Sequence, residues 1–259
     1  MTKGTSLKFF ATLLVLGLGS AKTHAEQSGS PIPATTFESG VTRTTLLELF
    51  TSEGCSSCPP AEKWLSQLMS NPDLWKKIVP IAFHVDYWDH LGWRDLFAQA
   101  EFTERQRNYA ASWHGDSVYT PAFVSNGQEW RSWFNDNLPH VQSEKVGTLR
   151  VTLSNDNKVN GTFVSEGPKP RSLKLEVALL GNNLESDVKR SENSGRKLHH
   201  NFVVLHLAKI DMVNEGNQWT GTVSLSTKVK TDKPTALAAW IKSAETAPPI
   251  QATGGWLKP

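Results

Sequence analysis

Cysteine is scarce in this chain of 259 residues, which contains two, Cys55 and Cys58. A structural zinc site needs about four ligands, and no second cysteine pair is present to complete one. Long hydrophobic runs are also lacking beyond the N-terminal region, so no later segment is apolar over the roughly 20 residues that a membrane span takes. The formal net charge is only +2, and this balance argues against a nucleic-acid-binding surface.

The N-terminal region has the pattern of a secretory signal. Lys3 and Lys8 give it a basic start, residues 9–18 form a short apolar run, and small residues follow. We therefore predict a signal peptide over residues 1–25, a periplasmic or secreted protein, and no membrane span once the signal is removed; a retained N-terminal anchor is the alternative. Residues 26–40 are rich in Ser, Pro, Gly and Thr and are predicted to form a flexible leader.

The two cysteines lie between a predicted strand and a predicted helix. Residues 44–50 are mostly apolar or β-forming, Gly54 lies in a short polar turn, and residues 61–69 have a helical pattern. The order strand, turn, CxxC, helix is the thioredoxin-type arrangement.

The two-residue spacing of Cys55 and Cys58 suits thiol–disulfide exchange. Two thiols at the start of a helix can close a small disulfide ring, and the positive end of the helix favours thiolate over thiol. Cys55 is then the candidate nucleophile that attacks a partner disulfide, and Cys58 is the candidate that resolves the mixed disulfide.

Two other interpretations of the pair stay open. One is a structural disulfide, although so short a loop gains little stability from chain entropy. The other is half of a metal site completed by His84, His90 or His114, none of which lies at a diagnostic spacing.

Residues 78–86 predict a second, buried strand with polar residues at its end. Because α/β sheets place their sites at the carboxyl ends of strands, His84 could carry protons there; the alternative is a hydrogen-bonded core residue. Asp86 and Asp89 are more typical of caps and turns.

A helix is predicted over residues 97–113, with Arg105 and Arg107 facing solvent. Residues 118–127 then predict a strand, and Asn126 followed by Gly127 predicts a hairpin turn.

The second half of the chain predicts short strands separated by turn residues. Their alternating pattern favours an antiparallel β-sandwich, and the predicted strands are residues 146–153, 158–164, 173–180, 201–208, 219–226 and 236–241. Between two of them lies a long polar connection, residues 187–200, that either covers the cysteines or is an ordinary solvated loop. His199 and His200 at its end are weak candidates for metal or proton chemistry.

Several longer motifs carry a resemblance to a known family. They are residues 49–62 around the cysteines, 84–93, 102–107 and 118–121. With these motifs the chain resembles the thioredoxin-like secreted family catalogued as domain of unknown function 1223, over essentially all of the mature chain.

The wider resemblance to thioredoxins implies particular roles. Cys55 and Cys58 would be the redox pair, and Pro121 would be a cis-proline facing the disulfide, with Thr120 beside it presenting backbone to a substrate chain. Glu48 would be a buried acid that moves protons, or else simply a surface or hydrogen-bonded residue.

Two prolines modify this expectation. Pro59 and Pro60 lack backbone donors and fit only the first turn of a helix. Their position after Cys58 favours a helix that begins later than in thioredoxins.

The sequence thus predicts an α/β thioredoxin-like domain over residues 41–142, followed by an antiparallel β-sandwich domain over residues 143–259. The predicted function is an exported thiol–disulfide oxidoreductase, acting on protein or small thiol substrates without a cofactor. The alternative is a binding or copper-handling module; since soft thiolates suit Cu(I), copper would be bound by Cys55, Cys58 and His84.

Overall fold

The structure is a computed structural model that describes residues 1, 2, 4, 34–135, 137–225, 235–243 and 248–257. The predicted signal peptide, apart from residues 1, 2 and 4, lies outside the described residues, as do residues 26–33 of the predicted leader.

The described residues form two α-helices and fifteen strands. The helices are α1 (Cys58–Gln67) and α2 (Ala100–Ser112). In chain order, the strands are β1 (Thr35–Glu38), β2 (Thr45–Thr51), β3 (Ile78–His84), β4 (Ala122–Ser125), β5 (Gln128–Glu129), β6 (Gly147–Leu153), β7 (Lys158–Ser165), β8 (Lys174–Gly181), β9 (Leu184–Asp187), β10 (Lys197–His200), β11 (Val203–Asp211), β12 (Val213–Asn214), β13 (Trp219–Ser224), β14 (Ala236–Lys242) and β15 (Gln251–Trp256).

These strands make three sheets. The largest has eight strands in the order β15-β14-β8-β11-β3-β2-β4-β5. Within it, β3 pairs in parallel with both β2 and β11, and the other pairs are antiparallel. A five-stranded sheet has the order β1-β6-β7-β13-β12, and β10 pairs with β9 alone.

Strand β2 lies inside the large sheet and has helices on both of its faces. All seven of its residues are buried. Leu47 and Leu49 pack with α1, whereas Leu46 and Phe50 pack with α2 on the other face. Because side chains alternate along a strand, the sequence reads as a continuous apolar run, which is typical of a strand covered on both faces.

The five-stranded sheet packs against one end of the eight-stranded sheet. Leu149 and Val151 of β6 share a core with Val177 of β8 and Leu237 of β14. Strand β1, which lies in the predicted flexible leader, pairs with β6 at the edge of this smaller sheet.

The predicted fold class is wrong. Of the described residues, 41% lie in strands and 15% in helices, in three sheets with two α-helices, so the chain is not an α/β thioredoxin-like fold followed by a sandwich. All six strands predicted in the second half are present, but they are shared between the two larger sheets. The physical reason is the pairing of β11 with β3, where the Ala82 amide donates to the Phe202 carbonyl at 2.8 Å. Strands from the second half thereby extend the sheet begun in the first half, so this sheet contains strands from before and after residue 142. The division into two domains at that residue stays a prediction.

The predicted hairpin turn is confirmed. Asn126 and Gly127 have φ values of 47° and 80° and connect β4 to β5. Positive φ at both central positions is what a two-residue hairpin of this kind requires. Among the residues that the structure describes, no helix has the length and apolar character needed to cross a membrane.

Candidate functional site

Cys55 and Cys58 form a disulfide, with their Cα atoms 5.5 Å apart. The turn that follows β2 positions them: the Cys55 amide donates to the Ser52 carbonyl and the Cys58 amide donates to the Cys55 carbonyl, both at 3.2 Å. Both cysteines are fully buried, whereas Ser56 and Ser57 between them are exposed.

Helix α1 begins at Cys58, three residues before the start of the predicted helical pattern at residue 61, and the expected delay relative to thioredoxins stays a prediction. Pro59 and Pro60 fall in its first turn. Their missing N–H groups cost nothing there, because the first four amides of a helix have no partner within the helix.

The peptide bond between Thr120 and Pro121 is cis, as the resemblance implied. The Thr120 carbonyl oxygen lies 3.7 Å from Cys55 Sγ and accepts a hydrogen bond of 3.4 Å from Ser57 Oγ. Trp88 Nε1 donates to Thr120 Oγ1 at 2.8 Å and so holds this peptide beside the disulfide. The structure thus brings Cys55, Cys58 and Thr120 together; their roles in a reaction stay predictions.

Gly54 precedes the first cysteine because the chain passes close to Trp88. A Cβ atom at Gly54 would lie 2.8 Å from Cβ of Trp88, a distance that real contacts do not tolerate without movement. This packing explains why no aromatic residue stands before Cys55.

The long polar connection of residues 187–200 covers the cysteine turn. This is the first of the two alternatives that the sequence left open for it. Asn193 is fully buried, and its Nδ2 donates to the carbonyls of Glu53 at 2.9 Å and Cys55 at 2.8 Å. Glu192 accepts from the amide and hydroxyl of Ser56 at 2.9 and 2.8 Å, and these hydrogen bonds lower the pKa of its carboxyl. Residues 188–196, here called the covering segment, therefore hold the backbone on both sides of Cys55.

Beside the disulfide lies a second group of side chains, the buried histidine cluster. All five are buried, and they are Glu53, Glu62, His84, Asp95 and His200. Glu62 follows Cys58 by four residues on α1, so both side chains lie on the same face of the helix. His84 ends β3 and His200 ends β10, so two strands from distant parts of the chain deliver the histidines.

Short hydrogen bonds connect the cluster. His84 Nδ1 lies 2.7 Å from Asp95 Oδ2, and His200 Nδ1 lies 2.5 Å from Glu62 Oε2. Thr51 Oγ1 donates to Glu62 Oε1 at 2.6 Å.

Two further contacts complete the cluster. Trp93 Nε1 donates to Glu53 Oε2 at 2.6 Å. The rings of His84 and His200 are 5.2 Å apart, and Phe97 packs edge-on against both.

Opposite charges set the protonation of these groups. Burial acts to lower the pKa of His200, but the charge and hydrogen bond of Glu62 and the nearby Glu53 carboxyl group raise it to about 10. Burial likewise opposes the charged form of His84, yet the charge and hydrogen bond of Asp95 raise its pKa. For Glu62, burial acts to raise the pKa, and the charge and hydrogen bond of His200 lower it overall. His200 is therefore paired as a cation with Glu62, and His84 is hydrogen-bonded to Asp95.

Glu48 is a buried acid on β2, the strand before the cysteines. It lies on the face of β2 that meets α2, where its oxygens accept from Arg105 Nε and from the Tyr109 hydroxyl, both at 2.6 Å. Arg105 Nη1 also donates to Glu176 at 2.7 Å. These contacts favour the hydrogen-bonded alternative for Glu48, and a catalytic role for it stays a prediction.

The expectation that Arg105 faces solvent is wrong, because its side chain is buried in this ion network and lies over the rings of Phe83 and Trp240. The expectation for Arg107 is confirmed, since its side chain is 59% exposed.

Sequence reasoning found the disulfide and both histidines but missed the carboxylates that surround them. Glu62 could have been found from its spacing to Cys58, because residues four apart on a helix share a face. Asp95 gave no such signal, since it lies in a loop. Within the described residues, Glu62, His84 and His200 each offer one metal-ligand atom, and these atoms lie within 4.8 Å of one another.

Fold and site define a class of β-rich proteins with a buried CxxC disulfide beside a cluster of paired histidines and carboxylates. The chain belongs to the family described as protein of unknown function (DUF1223), which matches residues 46–242. This confirms the resemblance to domain of unknown function 1223 that the sequence motifs carried, and it leaves the thioredoxin-like and secreted character unconfirmed.

Two solved structures are similar to this chain. A crystal structure of a protein from Agrobacterium tumefaciens, a structural genomics target, has a TM-score of 0.58 and 25% identity, over 82% of this chain and 94% of that one. HBP35 of Porphyromonas gingivalis has a TM-score of 0.57 and 13% identity, over 85% of this chain and 76% of that one, which is a likeness of fold alone. No curated protein matches this sequence.

Proposed function

We propose that this chain is an exported thiol–disulfide oxidoreductase that acts through Cys55 and Cys58 on protein or small thiol substrates. The observation that carries the proposal is a disulfide at the start of α1 with the Thr120 carbonyl 3.7 Å from Cys55 Sγ. The start of a helix favours thiolate, so reduction of this pair is expected to leave a nucleophilic Cys55. Export is supported by Lys3, Lys8 and the apolar run of residues 9–18.

The reaction exchanges two electrons between cysteine pairs. In the reduced form, the Cys55 thiolate attacks a substrate disulfide, forms a mixed disulfide and releases one substrate thiolate. The Cys58 thiolate then attacks Cys55 Sγ, which releases the second substrate thiolate and closes the Cys55–Cys58 bond. The substrate disulfide is reduced and the pair is oxidised; the reverse sequence oxidises a substrate dithiol.

Thr120 and Pro121 are proposed to position the substrate. Both are half-buried, and the Thr120 carbonyl already accepts a hydrogen bond from Ser57. A substrate segment that binds the backbone here would have its sulfur next to Cys55.

Access to the sulfurs requires movement of the surrounding chain. Both cysteines are buried, but Ser56 is exposed and is held by Glu192 through two hydrogen bonds. Release of these two bonds would free the outer part of the turn.

Burial of both sulfurs also favours a second candidate function, a binding module in which the disulfide is structural. The copper-handling form of this candidate needs two thiolates, so it applies to the reduced chain alone.

The reduction potential of the pair separates these functions. The protein would be equilibrated with glutathione or dithiothreitol buffers, with thiol alkylation as the readout. We expect a potential between about −120 and −270 mV, the range of known oxidoreductases, whereas a pair still oxidised well below about −300 mV would be structural.

Matched variants test the assignment of the two sulfurs. Cys58→Ser should accumulate a mixed disulfide through Cys55 when offered a disulfide substrate, and Cys55→Ser should accumulate far less. Equal trapping by both variants would contradict the assignment.

A further inference from the structure

The buried histidine cluster contains one polar atom, His84 Nε2, with neither a hydrogen-bond nor an ion-pair partner among the described residues. His200 Nε2 and Glu53 Oε1 make no hydrogen bond in the described part of the chain, but they lie 3.5 Å apart as an ion pair. His84 and His200 are fully buried, and a buried polar atom without a partner has a free-energy cost. A ligand bound to such an atom would remove that free-energy cost.

From this arrangement we propose that Glu62, His84 and His200 form a site for a divalent metal ion, Zn²⁺ by ligand type. One ligand atom from each residue lies within 4.8 Å of the others. Two imidazoles and a carboxylate are a known set of three protein ligands for zinc, with a fourth position left for water or substrate. The site does not involve the cysteines and does not depend on thiol exchange.

The hydrogen bonds of the cluster select the ligand atoms. Asp95 occupies Nδ1 of His84 at 2.7 Å, which leaves Nε2 as the atom of His84 that can bind a metal. His200 Nδ1 and Glu62 Oε2 face each other 2.5 Å apart, so both atoms are available to one metal ion. Zinc bonds of about 2.0–2.2 Å set tetrahedral ligand atoms about 3.3 Å apart, so modest side-chain rotation would close the site.

Each proposed ligand has a second polar atom held by a partner. Asp95 holds His84, and Thr51 donates to Glu62 Oε1 at 2.6 Å. Glu53 Oε1 lies 3.5 Å from His200 Nε2. Carboxylates on the far nitrogen of a metal-binding histidine orient the ring and raise its basicity, and this is the usual surrounding of such sites.

A cavity reaches one of the three proposed ligands. It has a volume of about 290 Å³, lies between α1 and β10, and has Glu62 in its wall. Lys63, Arg196 and Lys197 border the same cavity. Because these cations repel a free metal ion, loading is expected to be slow, and samples should be equilibrated with zinc for hours.

Zinc titration of the purified full chain in its oxidised form tests the proposal, since the disulfide removes both thiolates as ligands. Binding would be measured by competition with a chromophoric chelator. We expect one equivalent of Zn²⁺ per chain, with affinity reduced at least 100-fold in His84→Gln and in His200→Gln. His199→Gln, which changes the exposed histidine next to His200, and the double variant Cys55→Ser, Cys58→Ser should bind within about twofold of the wild type.

Three results would overturn the proposal: no binding by the oxidised wild type, unchanged affinity in His84→Gln and His200→Gln, or loss of binding in the double cysteine variant. Where a histidine variant does not fold, X-ray absorption of the zinc-loaded wild type decides instead. Imidazole and oxygen neighbours are expected, and sulfur neighbours would refute the site. A reduction potential below about −300 mV would refute the proposed oxidoreductase and leave this titration unaffected.

Discussion

Asn193 and Cys55 are joined by a buried hydrogen bond of 2.8 Å, although 138 positions separate them in the chain. Arg196 in turn donates to Asn193 Oδ1 at 2.7 Å, which fixes the orientation of the amide. The conformation of the cysteine turn therefore depends on a segment from the second half of the chain.

Asn193→Ala should destabilise the oxidised protein by about 2 kcal/mol, because the Glu53 carbonyl loses the Asn193 donor and the Cys55 carbonyl keeps only the Cys58 amide. Urea unfolding measures this change. The matched control is Lys189→Ala, an exposed position in the same covering segment, which should stay within about 0.5 kcal/mol of the wild type. Equal stability of Asn193→Ala and the wild type would mean that water replaces the amide.

Arg105→Met should destabilise the chain by about 3–5 kcal/mol, since it leaves the buried Glu48 carboxylate without its cation. The control is Arg107→Met on the exposed face of the same helix, with an expected effect within about 0.5 kcal/mol. Thermal and urea unfolding of both variants provide the comparison. A small effect of Arg105→Met would show that water solvates Glu48 in the variant at little cost.

Stability should fall in acid because of Glu176. Its burial acts to raise its pKa, but the charges of Arg105 and Lys242 lower the pKa to about 2. A lowered folded-state pKa gives stability that is present above the unfolded value, 4.5, and lost as pH falls toward 2. The loss attributable to this group is about 3 kcal/mol, from 1.36 kcal/mol per pKa unit.

Urea unfolding of the wild type and Glu176→Gln between pH 7 and pH 3 measures this contribution. The variant should be less stable at pH 7 and should lose less stability on acidification. Glu166→Gln, at an exposed position, should keep the wild-type slope. Parallel curves for the wild type and Glu176→Gln would contradict the assignment.

Gly54→Ala should destabilise the protein by about 1–3 kcal/mol, because the new methyl group would overlap Cβ of Trp88. The displaced indole should also weaken its hydrogen bond to Thr120, which tryptophan fluorescence can detect. Gly167→Ala is the control, since no atom lies within 4 Å of a Cβ built there. Equal unfolding curves for the two variants would mean that Trp88 moves without cost.

Local patterns predicted much of this structure. The strand–turn–helix arrangement placed Cys55 and Cys58 correctly, because apolar runs, Gly54 and the prolines are local signals. The strands of the second half were also found, since alternation is a property of each strand alone.

Local sequence patterns could not predict the order of the strands within the sheets or the partners of the buried charged residues. Pairing of β11 with β3 depends on contacts between residues such as Ala82 and Val203, far apart in sequence. Arg105 is an exception that the pattern could have revealed, because it lies three residues after Phe102 and four before Tyr109, on the buried face of α2. Local patterns predict that a charged side chain on a helix faces solvent, whereas Arg105 contacts two buried carboxylates.

The parallel pairing of β3 with β11 affects how the protein can be divided in the laboratory. A fragment ending at residue 142 would leave β3 as a sheet edge, with seven residues that are all buried in the full chain. An uncovered apolar edge is a template for strand addition by other chains. Self-association of such a fragment would result from the removal of β11 and would not be a property of the full chain. Studies of the cysteine pair are therefore better done on the full chain.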